Sequence, residues 1–549
     1  MAAVVIPIIG GIIGSTIAAT VIYYVGVTVV TSYAINALNK KALSKARSAA
    51  ASAQAAQKGY GTNINAVAPA TDHAIIYGEQ RVGGVIFYRS ITDDQKFLHT
   101  LIALAGHECN SIGTVFADNV ALTLDGNGFV TNDAFQIKDA DGNVVNSALR
   151  INKHLGGSNQ AADADLVAED TAWTTAHQAK NIAYIYIRAE FDTSVFPQGL
   201  PLFSAIVQGR KINDPRNTNQ AEFTSNAALC LMDYLESDFG LGVDGTEINR
   251  TIFAAAANVC DENVSLSAGG TEKRYTVNGS FVTSLPPDDI ITDLTASMAG
   301  TIFYTQGQWG VKAGEFTSSV LTLTEDDLRS NLQVNTRHSR RDNFNSVTGM
   351  FAGPETDYQP TDFPQLVSDT FETIDGGERV VQDIPLPFTS TSTMAQRIAK
   401  IALFKNREQL TISGTFGLRA LQLQIGDVVS VTNTRLGFSA KTFEVADWSF
   451  GISQDKALEV NMTLREISSA VYDWNAEEIA FELNSTTLPS ATDLPTVGLG
   501  VDFDLRIVNQ AAVGVLIIEV TSNEPYAVEF EAQYKRTSDT NFISVGKQR

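Results

Sequence analysis

The first charged side chain is Lys40, and the run before it, AAVVIPIIGGIIGSTIAATVIYYVGVTVVTSYAINALN (2–39), constrains the chain more than any other stretch. An uncharged segment of this length is long enough to span a bilayer, and in water it has to be covered. Pro7, Gly10, Gly11 and Gly14 divide it and favour a bend, while Gly10, Gly14, Ala18 and Ala19 permit close helix approach. It does not read as a secretory signal, which needs a basic start, a short apolar centre and a small-residue cleavage site. Two readings remain. One is a membrane segment from Ser15 to Leu38, with Ile22 and Val29 inside it and the basic flank Lys40, Lys41, Lys45 and Arg47 after it. The other is an apolar plug held within a larger assembly. The Ala-rich SKARSAAASAQAAQKG (44–59) reads as an exposed helix or connector.

No acidic residue precedes Asp72, so all 61 Asp and Glu residues lie beyond the apolar and basic start, and the net charge is −22. Such a chain is repelled by phosphates, which argues against sequence-specific nucleic-acid binding. With 44% hydrophobic and 18% charged residues it belongs to the packed globular class, and 549 residues exceed what one core organises. Cys109, Cys230 and Cys260 form no close-spaced pair, in keeping with assembly in a reducing compartment.

From about residue 71, short alternating or apolar runs between turn signals predict β-strands, as in HAIIYGEQRVGGVIFYRSI (73–91) and NIAYIYIRAEF (181–191). DADGN (139–143) fails the calcium-loop spacing and reads as a hairpin turn. Apolar residues three and four apart predict helices in SNAALCLMDYLES (225–237) and TEINRTIFAAAANVCDEN (246–263). PPDDIITDLTASMAG (286–300) carries Pro and Asp in its first turn and Gly300 as its stop, and leads into the hairpin TIFYTQGQWGVKAG (301–314). A further helix, MAQRIAKIALFKNRE (394–408), precedes the β-rich LQIGDVVSV (423–431), KTFEVADWSF (441–450) and ALEVNMTLREI (457–467). TTLPSATDLPTV (486–497) reads as a linker. VGVLIIEV (513–520) and AVEFEAQYKR (527–536) read as sandwich strands.

None of the six histidines has metal-ligand spacing, and no phosphate loop, dinucleotide fingerprint or GxSxG elbow occurs. His107, Glu108 and Cys109 are neighbours, but adjacent strand residues face opposite ways, so Cys109 reads as a buried thiol. Cys230 and Cys260 read as small core residues. No catalytic, cofactor-binding or metal-binding residue is assigned, and the chain is expected not to be an enzyme.

Several stretches in order resemble the tail-tip hub family of long-tailed phages, the group of the lambda host-specificity protein J and of gene-transfer-agent hubs. They include IIYGEQRVGG (75–84), HLGGSNQAADADL (154–166), AWTTAH (172–177), FPQGLP (196–201), GRKINDPR (209–216), NAALCLMDYLESDFGLG (226–242), ANVCDE (257–262), SRRDNFNSV (339–347), QRIAKIAL (396–403) and QIGDVVSVT (424–432). The resemblance spans roughly residues 71–474. It implies a mainly β, multidomain fold with α+β parts. Its expected divisions are an apolar segment and connector (1–59), a first barrel-like domain (60–216), an α+β domain (217–330), a second barrel-like domain with a helix (331–480), and a linker with the start of a fibronectin-III-like domain (481–549). That last domain would be completed by sequence beyond residue 549.

It also implies a homotrimer whose six barrels form a six-fold-like ring at the tail tip of a virion assembled in the host cytoplasm. The implied partners are a distal tail protein, other tail-tip proteins, a tape-measure protein, the host cell surface and the host membrane, with DNA passing without specific binding. No cofactor is implied. In GRKINDPR, Arg210, Asp214 and Arg216 form a candidate hub contact, in which Asp214 caps the turn or bridges to either arginine; an ordinary solvated turn is the alternative. The apolar start resembles the membrane-penetrating part of some gene-transfer-agent-like hubs. A membrane pore acting through residues 2–39 and a tail-associated cell-wall hydrolase remain open as other functions. A peptide of residues 1–48 is expected to release dye from anionic liposomes, and its Ile22→Asp, Val29→Asp variant is not; equal leakage from both, or none from either, leaves only the plug.

Overall fold

The computed structural model describes residues 65–67, residues 71–482 apart from 198, 218–219, 338, 341 and 453–457, and four strands between 497 and 548. Ser15, Ile22, Val29 and Leu38, the 44–59 connector and residues 486–496 lie outside the described residues. The chain divides into two compact units, one reaching Phe481 and one starting at Glu482.

The first β-rich region packs two open sheets face to face. One has the strand order Ala66–Val67, Val85–Thr92, Phe97–Ala105, Ala183–Glu190, Leu149–His154; the other has Glu79–Val82, Phe203–Gln208, Ser111–Ala117, Val120–Ala121. Ile102, Leu104, Ile185 and Ile187 from the first meet Val115, Ala205 and Val207 from the second in a shared core. Because strand residues alternate between faces, Tyr184 and Tyr186 point the other way, yet they too are wholly buried. That double burial explains the unbroken apolar run in the sequence. Asp139–Asn143 closes a hairpin between Gln136–Lys138 and Val144–Ser147, as expected.

Six α-helices occur among the described residues: α1 (Ala164–Glu169), α2 (Ala227–Glu236), α3 (Arg250–Cys260), α4 (Pro287–Ala296), α5 (Asp369–Ile374) and α6 (Ser392–Arg407). Asn226 caps α2, accepting from the N–H groups of Ala228 and Leu229. α3 starts later than its apolar period suggests. Asp244 first caps a 3₁₀ turn at Gly245–Glu247, and Asn249 then caps the helix proper. α4 opens with Pro287, Asp288 and Asp289, and the Thr391 hydroxyl caps α6. No helix among the described residues is long and apolar enough to cross a membrane.

α2, α3, α4 and α6 share one core with strands from both sides, drawn from Ile75 to Val471, and Phe371 of α5 packs against it. Strand Ala74–Tyr77 pairs with Gly279–Val282, which stitches the first β region to the helical block. The second β-rich region is an open six-stranded sheet in the order Leu321–Leu323, Val428–Asn433, Phe438–Ile452, Leu458–Glu466, Thr411–Phe416, Gln333–Asn335. Among the described residues neither region closes into a barrel by hydrogen bonding; the first buries its apolar face against its second sheet, and the second gathers Leu323, Ile412, Val429, Val445 and Leu464 of its own strands with Ala420 of a 3₁₀ turn.

α6 buries five polar residues, Ser392, Gln396, Arg397, Lys400 and Asn406. Residues 473–481 run along it and satisfy two of them. The Gln396 amide accepts from Ile479 N–H (2.8 Å) and donates to Ile479 C=O (2.9 Å), and Lys400 donates to Glu477 (2.7 Å) and to the Asp473 carbonyl (2.9 Å). Arg397 instead pairs with Glu272 (2.9 Å). Phe481 ends the run edge-on against Phe351.

In the second unit, Val497–Val508 pairs with Ala511–Ser522, and Phe530–Tyr534 with Ile543–Gln548. The two expected strands are present, but each pairs within its own hairpin. The expected 527–536 segment is described only over its central residues.

Leu231 lies in the middle of α2 and is wholly buried. Leu231→Ala is expected to cost about 3 kcal/mol in urea unfolding of the first unit. Ile91→Ala, on an exposed strand position, should stay within about 0.5 kcal/mol of the parent.

Candidate functional site

Both arginines of GRKINDPR reach the helices, and within the motif Asp214 pairs with Arg216. Arg210 Nε donates to Asp233 Oδ2 (2.8 Å) on α2, and the same oxygen accepts from Tyr77 OH (2.7 Å). The Arg210 guanidinium also lies over the Phe239 ring at 5.1 Å. Burial first, and then Asp233, pushes the Tyr77 hydroxyl well above its ordinary pKa, so it stays a hydrogen-bond donor.

Asp214 meets Arg216, not Arg210. Its carboxylate accepts from Arg216 Nε (2.9 Å), Nη2 (2.7 Å) and backbone N–H (2.8 Å). Burial raises the Asp214 carboxyl, but these bonds outweigh it and hold the group below the usual range. Arg216 reaches onward to Asp261 (2.8 Å) and Asn258 (3.0 Å) at the C-terminal end of α3, where a cation also complements the helix dipole. All three candidate contact residues are thus engaged within the chain, clamping the hairpin of Lys211–Asn213 and Ala221–Phe223 to α2 and α3.

Cys109 is fully buried, and burial pushes its thiol up to about 12. His107 accepts from Ile76 N–H at Nε2 (3.0 Å), and its Nδ1 faces the Glu108 carbonyl (2.8 Å), which places the proton on Nδ1. Burial lowers its pKa to about 4. A protonated thiol 3.9 Å from a nitrogen whose proton is already committed is a packed pair, not a nucleophile and base. Cys230 and Cys260 are likewise buried. Among the described residues no group of three His, Cys, Asp or Glu side chains is placed to hold a metal ion.

Two features escaped the sequence reading. Arg81, almost wholly buried, donates to Ser204 Oγ (2.9 Å) and Asn119 Oδ1 (2.7 Å) and lies 4.0 Å above the Phe116 ring. Beside it, Tyr358 OH donates to Glu79 (3.1 Å), so residues 279 positions apart join the first β region to the one that follows the helices. The other feature is the segment 155–182, which folds over the outer face of the first sheet. There Asp163 accepts from His154 (2.7 Å), Asn152 (2.9 Å) and Leu166 N–H (2.9 Å). Burial raises its carboxyl, and these three donors more than reverse the effect. The acid-rich QAADADL was the visible signal, but acid spacing alone does not say what it faces.

Residues 286–448 match the model of the Phage-tail_3 family of phage tail proteins. The tip attachment protein J of Escherichia phage SECphi27 is 22% identical over 281 residues, covering 47% of this chain and 23% of that protein. The chain therefore spans less than a quarter of the curated relative it matches. A chain from the virion of a native gene transfer agent particle superposes with a TM-score of 0.54 at 14% identity, covering 76% of this chain and 89% of its own length.

The chain is thus similar to phage tail proteins in sequence over part of its length, and to that virion chain in fold. A tail protein from Neisseria meningitidis MC58 aligns over 74% of the chain with 14% identity, but at a TM-score of 0.29 it is too distant to carry an argument. The clamps around Arg210 and Arg216 belong to the first unit, and Asp233 is their most exacting member, because one of its oxygens serves Tyr77 and Arg210 at once with Ser237 Oγ also 3.4 Å away. Asp233→Ala is expected to cost about 2 kcal/mol by leaving Tyr77 and Arg210 short of an acceptor, and Asp233→Asn about 1 kcal/mol. Chemical denaturation of the three proteins in parallel measures both.

Proposed function

We propose that this tail protein is the structural hub of the tail tip in a siphophage or phage-like particle, with three copies forming a ring that closes or continues the tail tube. The observation that carries the reading is the shared fold with a chain of the gene transfer agent virion over 76% of the present chain. The relation to a tip attachment protein supports a position at the tip. Two β-rich regions flanking one helical core are what a trimer needs to present six barrel-like domains around a tube of higher symmetry. In this reading the ring meets the distal tail protein, other tip proteins and the tape-measure protein, supports host attachment, and lets DNA pass. A net charge of −22 suits a passage that does not hold DNA. Residues 2–39 either plug the tip or enter the host membrane, and the fibronectin-III-like extension begins after residue 481.

Native mass spectrometry of the tail-derived complex, with electron microscopy of the particle, is expected to find three copies per tip. A stable monomer or dimer in that complex would remove the ring. A lumen lined mainly by Lys and Arg would remove the account of DNA passage.

A further inference from the structure

The outer face of the first sheet is arranged as an occupied binding surface. Its register places Arg150 opposite Arg188 and Arg188 opposite His99, a cross-strand row of cationic or protonatable groups. Like charges directly opposite destabilise a sheet unless something neutralises them. The segment 155–182 does so. Asp165 pairs with Arg150 (2.8 Å) and Glu169 with Arg188 (3.0 Å), and the two acids stand four residues apart on α1, so both point at the row from one helix face. The other Glu169 oxygen is 4.0 Å from His99 Nε2, and Asp170 accepts from Tyr88 OH (2.6 Å).

Beneath the charges, Leu166 and Trp173 pack on Leu101, Tyr184 and Tyr186 in a small core separate from the one inside the sandwich. That small core is imperfectly satisfied, since Trp173 Nε1 and Glu169 Oε2 are buried without a hydrogen-bond partner. The ends of the segment are conformationally special. Gly156 has φ +83° where a Cβ would meet the Ala183 nitrogen at 2.8 Å, and Ala179 and Asn181 both have positive φ. Gln160 ties the two ends together, accepting from Gly156 N–H (2.7 Å) and donating to the Ala179 carbonyl (2.8 Å).

We propose that this face is a docking surface for an acidic segment of a partner protein, filled here by the chain's own residues 163–173, and that residues 155–182 form a lid able to lift from it. The charge complementarity identifies the occupant: two arginines among tyrosines suit carboxylates backed by apolar side chains, which is what α1 supplies. A partner segment of the same chemistry replaces those contacts without leaving the arginine row unpaired. The lid is a separate cooperative unit because its own small core, not the sandwich core, holds it down. The proposal stands apart from the hub reading and survives or fails without it.

The test uses the full chain. In hydrogen exchange, Asp165→Asn with Glu169→Gln is expected to speed exchange of residues 160–178 by about tenfold, while strand Ala183–Glu190 keeps its protection. A fluorescent peptide of residues 160–173 should then bind this variant saturably, bind the parent chain far more weakly, and fail to bind when Arg150→Ala and Arg188→Ala are added. The swap Glu169→Arg with Arg188→Glu should restore lid protection, which a nonspecific folding defect would not allow. Lid and strand exchanging in step, an open lid that does not bind the peptide, or a swap that fails to restore protection would each overturn the proposal.

Discussion

α2 has to be surrounded. Eight of its ten residues are buried, including Leu229, Leu231, Met232, Tyr234 and Leu235, so it has no solvent face and no stability outside a complete shell. The shell comes from far along the chain: Ile75 and Tyr77 before it, α3 and α4 after it, Phe388 and α6 later still. The hairpin of Lys211–Asn213, α3 and α4 are therefore held around one helix by the cost of exposing it. The ion pairs Arg210–Asp233 and Arg216–Asp261 follow from this arrangement, since they form where a hairpin is pressed against helices that cannot move away.

Local chemistry made much of this legible. The caps and apolar periods of α2, α4 and α6 are short-range signals, and so are the alternating runs at 73–91 and 181–191. The strand Val497–Val508 escaped the sequence reading although Leu499, Val501, Phe503, Leu505 and Ile507 alternate with Gly500, Asp502, Asp504 and Arg506 at the period of a strand; Gly and Asp are depleted in strands, and they masked that alternation. The candidate contact was half legible. Arg216 finds Asp214 two residues away, but the Arg210 partner is Asp233, and the Arg216 contact to Asp261 crosses 45 residues. The acids of the lid were visible as composition, yet their partners lie on strands whose order becomes known only when the sheet is formed.

The same distinction governs the buried charges. Arg81, Arg397 and Lys400 would each be too costly inside a protein without partners, and each finds them across long sequence separations. Polar residues on the buried face of α6 weaken its amphipathic pattern, although they are the ones that select its neighbours.

Residues 473–481 acquire a mechanical meaning from this selectivity. The chain reaches residue 482 only after passing Lys400, Gln396 and Phe351, where a carboxylate, a backbone amide and an aromatic ring are held in turn. A pull applied beyond that point must lift Phe481 from Phe351, then strip the Ile479 backbone from the Gln396 amide, and only then reach the Lys400–Glu477 pair. Tension is thus met one contact at a time along a short, half-exposed seam on a core helix.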